Sequence, residues 1–156
     1  MELIAKVCIV SPEQGPVWDM EPGRPTTFKL LSEQTGGSMS VFEELVPVGA
    51  GTPLHIHRTS DEAIHLLAGE LKIKLGTQVT IIGAGTWVFI PRDTEHGWKN
   101  CGQEPVRAAF MFSPAEGAKF FEELRLLAQP IPSIDPVTLE ALCKRHGYEL
   151  VSFDWE

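Results

Sequence analysis

Residues 49–69 read GAGTPLHIHRTSDEAIHLLAG, and the spacing of histidine and glutamate in that stretch decides the fold. His55 and His57 stand two positions apart. On a strand both imidazoles therefore project from one face, separated by two rises of ~3.3 Å. Glu62 follows five positions after His57, an odd offset that a continuous strand would send to the opposite face. The polar, turn-prone Arg58-Thr59-Ser60-Asp61 lies between them, so the chain can reverse there and bring Glu62 back inside. Three imidazoles and a carboxylate are costly to bury unpaired, and a divalent cation satisfies them together. The third imidazole is expected from His96, which must arrive on another strand.

Working outward, residues 26–112 read as short strands divided by turn residues every eight to twelve positions, which suggests an all-β sandwich or barrel. The expected strands are Phe28 to Leu31, Ser38 to Val46, His55 to His57, Glu62 to Ala68, Leu71 to Leu75, Val79 to Ile82, Trp87 to Ile90, His96 to Asn100 and Val106 to Phe112. Leu71-Lys72-Ile73-Lys74-Leu75 alternates strictly, with one face buried and one wet. Trp87-Val88-Phe89-Ile90 is apolar on both faces and needs cover from helices or from a second subunit. Residues 1–25 are punctuated by proline and glycine, and only Leu3 to Val10 is expected to add a strand, at a sheet edge.

The period changes after Phe112. Ser113-Pro114-Ala115-Glu116 reads as a capping box with proline at the first helical position. The helix it predicts runs to Ala128, with Phe120, Phe121, Leu124 and Leu127 on an apolar stripe for packing on the barrel. Asp135-Pro136 starts a second helix carrying Leu139, Leu142 and Cys143, which Gly147 stops. One domain spanning 1–156 is expected, with a barrel core at about 26–112 and a helical extension at 113–150.

A second motif completes the site. Residues 85–100 read GTWVFIPRDTEHGWKN, so Gly85, Pro91, Asp93, His96 and Asn100 stand at fixed offsets. Together with Gly49, His55, His57, Glu62 and Gly69 they resemble the two motifs of the cupin superfamily, the first at every defining position. Asp93 departs, since cupins usually have glycine there. The position calls for φ > 0, which Asp tolerates better than most side chains. Residues 26–61, the helix after Ser113 and the tail from Asp135 to Tyr148 resemble single-domain cupins related to quercetin 2,3-dioxygenase.

The resemblance implies a double-stranded β-helix (jelly-roll) barrel holding one divalent transition metal (Fe, Mn, Ni, Cu or Zn) on His55, His57, Glu62 and His96. An octahedral ion would keep two open positions there, as at oxygen-activating His-carboxylate sites. It also implies that Glu62 can act as general base as well as ligand. The expected activity is dioxygenase-like, on a small aromatic or enolic molecule. A non-enzymatic ligand binder, or a metal-dependent isomerase or lyase, remains open, because the scaffold hosts many chemistries.

Other residues are read more plainly. Trp98 shares the face of His96, as a pocket wall or as an aromatic filling the barrel mouth. His65 should point outward by period two, away from the site. His146 suits the negative end of a helix, and Arg92 and Glu95 are turn charges. The net charge of −8, from 13 basic and 21 acidic residues, argues against a phosphate-binding surface and so against nucleic acid. No apolar run approaches the roughly 20 residues that cross a bilayer, and the N-terminus does not read as a secretory signal. Cys8, Cys101 and Cys143 are odd in number and widely spaced, which suits a reducing cytoplasm. A homodimer is expected from the doubly apolar strand and the edge-like N-terminal segment.

Overall fold

The computed structural model describes residues 2–155, and its strands fall into two antiparallel sheets. The six-stranded sheet is built from β1 (Val17–Glu21), β2 (Arg24–Leu30), β3 (Ser40–Val46), β10 (Val106–Ser113), β5 (Asp61–Ala68) and β8 (Trp87–Ile90), in that spatial order. The five-stranded sheet runs β11 (Tyr148–Ser152), β4 (Leu54–His57), β9 (His96–Lys99), β6 (Glu70–Leu75) and β7 (Gln78–Gly83). Alternation decides which side chains meet between the sheets. Phe28, Phe42, Ile64, Leu66, Leu71, Ile73, Phe110 and Phe112 are all buried. The all-β expectation holds, and every strand expected between residues 28 and 112 is present.

Phe42 sits at the centre of an aromatic cluster. Its ring lies 5.2 to 5.8 Å from those of Phe28, Phe110, Phe112 and Phe121, within the range where aromatic pairs attract. Strand register explains the arrangement, because Phe42 faces Phe28 on β2 and Phe110 on β10 directly.

The two helices, α1 (Glu116–Leu126) and α2 (Pro136–His146), follow the strands as expected. Asp135 caps α2 by accepting the Thr138 N–H at 3.0 Å, and Gly147 ends it at φ 68°. Asp93 likewise adopts a left-handed φ of 68°, which accounts for its tolerance where glycine is usual.

The beginning of α1 corrects the expected capping box. Ser113 ends β10, where it pairs with Asp61, and its hydroxyl donates to Ser38 O at 3.0 Å. Ladder pairing has claimed it. Ala115 is the N-cap, and the side-chain acceptor comes from a distant loop: Ser60 Oγ takes the Gly117 N–H at 2.7 Å and donates to Pro114 O at 2.6 Å. The helix also stops sooner than expected, with Leu127 as C-cap and Ala128 at a positive φ. Phe120 and Leu124 are buried, whereas Leu127 is exposed.

A second correction concerns Leu3 to Val10, which forms no strand. The place beside β2 belongs to β1, so the segment does not pair there. It runs past the 34–37 turn, where the Lys6 N–H donates to Gln34 O. Its Ile4, Val7 and Ile9 are exposed. Beyond the expected strands, β1 and β11 flank the two sheets.

Candidate metal centre

The site forms where β4 and β9 face β5. His55 and His96 are direct cross-strand partners, so their rings lie 4.3 Å apart. His57, two residues along β4, shares the inward face of His55, at a ring distance of 4.9 Å. The odd offset to Glu62 is resolved by a change of sheet: β4 belongs to the five-stranded sheet and β5 to the six-stranded one. Residues 58–60 carry the chain across the gap, so Glu62 faces the histidines from the opposite wall. Glu62 Oε2 lies 2.9 Å from His96 Nε2 and 3.4 Å from His57 Nε2. All four side chains are buried, with one ligand atom from each inside a 4.8 Å span.

The donor set fits a metal ion. Around an ion with bonds of about 2.1 Å, donor atoms are at most about 4.2 Å apart, so a contraction of a few tenths of an ångström closes the shell. The ring orientations are already set. His55 Nδ1–H is held by Pro53 O at 2.8 Å and His96 Nδ1–H by Thr94 O at 2.9 Å. Backbone acceptors on Nδ1 leave the Nε2 lone pair turned into the cluster, as in metal sites generally. His57 Nδ1 is buried with no partner among the described residues.

Electrostatics suit a metal at His55 and Glu62; at His96 burial acts to lower the imidazole, but the hydrogen bond and charge of Glu62 outweigh it and raise it. Burial pushes the His55 imidazole well below its ordinary pKa, helped by the neighbouring His96 and His57, and so keeps it neutral as a ligand must be. Burial also acts to raise the Glu62 carboxyl. Hydrogen bonds and charge from His57 and His96 outweigh it and hold the group anionic, below the usual carboxylate range.

The cluster opens on a cavity of about 210 Å³ lined largely by aromatic rings, among them Phe42, Trp98, Phe110, Phe112, Phe121 and Tyr148. Trp98 is buried, stacks on Phe110 at 5.3 Å and stands in this wall. His65 points outward and stacks on Trp87 at 3.9 Å, outside the site as expected. Arg92 pairs with Asp61 at the surface. His146 does more than meet a helix dipole: it is buried between the helices, 3.0 Å from Glu116 on one ring nitrogen and from Glu123 on the other.

Sequence reading missed two features of the cavity. Tyr148, the cross-strand partner of His57 on β11, lays its ring parallel to His55 at 4.8 Å and edge-on to His57 at 5.4 Å. A glycine-stopped helix followed by Tyr-Glu-Leu-Val-Ser signals that strand. The other is a buried ion pair, Arg24 with Glu44, at 2.9 Å. Alternation from Phe42 puts Glu44 inside, and the same counting on β2 puts Arg24 there. Burial pushes the Glu44 carboxyl up against the opposing pull of Arg24.

Two facing sheets with three histidines and a glutamate turned into the space between them define a cupin with a site able to hold a metal, and residues 42–112 match the family described as Cupin domain. The chain belongs to the cupin superfamily. It is similar to CurC of Streptomyces cyaneus, described as a polyketide synthase, at 30% identity over 63% of this chain and 67% of that protein. It is also similar to the uncharacterized protein MJ1618 of Methanocaldococcus jannaschii, at 35% identity over 46% of this chain and 58% of that one. The match thus spans about six-tenths of these relatives' lengths. In fold it resembles the polyketide cyclase RemF from Streptomyces resistomycificus, with TM-score 0.59 and 18% identity over 69% of this chain and 80% of that one.

Proposed function

We propose that the chain is a metal-dependent enzyme acting on a small aromatic or enolic molecule, with His55, His57, Glu62 and His96 as metal ligands. The observation that carries this reading is a buried cluster of three imidazoles and a carboxylate opening directly onto an aromatic-walled cavity. A bound divalent metal would supply Lewis acidity toward a substrate oxygen, and iron, manganese, nickel or copper would add redox capacity that zinc lacks.

The protein's own groups do the rest. Phe42, Phe110 and Trp98 hold a flat ring and exclude water. Glu62 lines the cavity, and its Oε1 accepts no hydrogen bond among the described residues. That oxygen takes the proton of a substrate hydroxyl, leaving an enolate or phenolate oxygen next to the cluster. Tyr148 packs against two of the imidazoles and limits their rotation.

The first form of the reaction is quercetinase-like dioxygenation. A redox-neutral isomerisation, cleavage or ring closure is the second, favoured by the polyketide chemistry in the descriptions of CurC and RemF. The experiment is oxygen uptake with flavonols and enediol-like compounds on protein loaded with iron, manganese or nickel, with products analysed in parallel. Uptake with at least one metal is expected. Product without uptake selects the redox-neutral form, and no turnover under any loading leaves a non-enzymatic ligand binder.

The same reading places the chain in the cytoplasm as a homodimer. Among the described residues no helix is long and apolar enough to cross a membrane, and Cys8, Cys101 and Cys143 are free thiols. Strand β8 ends its sheet, and Trp87 and Phe89 on it are 62% and 66% exposed. The helices of this chain leave them uncovered, and an open apolar edge invites pairing. Sedimentation at micromolar concentration is expected to give twice the chain mass, and a clean monomer would contradict the dimer.

A further inference from the structure

The Arg24–Glu44 pair is unusual for a structural ion pair. Both residues are 3% exposed and line the cavity. An arginine fork normally engages both oxygens of a carboxylate. Here Arg24 Nε and Nη2 both donate to Glu44 Oε2, at 3.0 and 2.9 Å, while Nη1 is fixed by Gly51 O at 3.0 Å. Glu44 Oε1 is left without a donor among the described residues. Thr26, the cross-strand partner of Glu44, carries a buried hydroxyl with no hydrogen-bond partner among the described residues. Glu44 lines the cavity, so this free oxygen can accept a hydrogen bond from a ligand hydroxyl placed there.

Register gives the distance to the metal cluster. Glu44 pairs with Ala108 on β10, and Glu62 pairs with Phe112 on the same strand. Four residue rises separate the two points, about 13 Å of backbone. The inward rings of Phe42 and Phe110 lie between them.

We infer that Glu44, oriented by Arg24, is a second recognition point that accepts a hydrogen bond from a hydroxyl on the far end of a flat aromatic ligand whose near end lies at the metal cluster. This rests on the proposed function. It narrows the substrate class to polyhydroxylated aromatics with oxygens at both ends.

The test compares two probes on metal-loaded protein, 2,3-dihydroxynaphthalene and 2,3,6-trihydroxynaphthalene, with Kd read by calorimetry. The adjacent hydroxyls of both suit the metal, and only the second carries a distal donor. A hydrogen bond to a buried carboxylate is expected to favour the triol by about tenfold. In Glu44→Gln that preference should fall several-fold. In the apolar double variant Arg24→Met/Glu44→Leu it should vanish, while the Kd of the diol changes less than about twofold. Replacing a buried ion pair by apolar residues is commonly tolerated, and Glu44→Gln serves should the double variant fail to fold. Equal binding of both probes by the native chain, or a preference that survives in the double variant, overturns the inference alone. Diol binding that is indifferent to metal overturns the functional reading instead, and absence of binding by either probe overturns both.

Discussion

Replacement of His96 by alanine is expected to abolish metal retention, with affinity falling by more than about 100-fold. That bound follows because even groups that merely orient a metal ligand cost 10–100-fold when removed, and His96 stands in the cluster itself. The variant also strips Glu62 of its 2.9 Å partner. Glu62 keeps His57 at 3.4 Å, so the metal-free fold is expected to lose less than about 3–5 kcal/mol, the cost of a fully unpaired buried charge. Thermal melting separates the two effects. Metal at about 1,000 times its Kd adds about 4 kcal/mol to the native chain, or roughly 8–16 °C at 2–4 °C per kcal/mol for a chain of this size. The His96→Ala protein should melt lower without metal and show no upward shift with it. A shift as large as that of the native chain would remove His96 from the site.

The other large effect lies in the wall of the cavity. Phe42→Ala is expected to cost about 3–5 kcal/mol, the range for truncating a buried phenylalanine. Four phenyl rings lose their common neighbour, and the cavity it lines cannot collapse because both sheets hold its rim. The measurement is a urea midpoint, with Ile81→Ala as control. Ile81 is exposed on the edge strand β7, so the control should stay within about 0.5 kcal/mol. A cost below about 1 kcal/mol for Phe42→Ala would mean that the aromatic cluster contributes little to holding α1 on the six-stranded sheet.

What could be read from the sequence was what is local. Two imidazoles at period two, a cap at Asp135, a stop at Gly147 and a left-handed residue at Asp93 each depend on a few adjacent positions, and each is found as expected. The strand run from residue 28 to 112 was legible for the same reason, since alternation and turns repeat along it.

The misses share a different cause. Ser113 carries a good capping pattern, yet β10 pairing and Ser38 O hold it, so tertiary structure overrode a local signal. The segment from Leu3 to Val10 is apolar enough for a strand, but the place beside β2 is taken by β1. Tyr148 and the Arg24–Glu44 pair gain their meaning only when strands far apart in sequence face one cavity. Period two places Glu44 inside, but nothing near it in the chain names Arg24 as its partner.

The account stands on one ion held between the sheets. Elemental analysis of the chain purified without chelators or nickel resin tests this most directly. Close to one equivalent of a divalent transition metal per chain is predicted, removed by chelator and restored on adding the same metal. A chain that carries only traces, and whose melting temperature does not move when iron, manganese, nickel, copper or zinc is added, would contradict it.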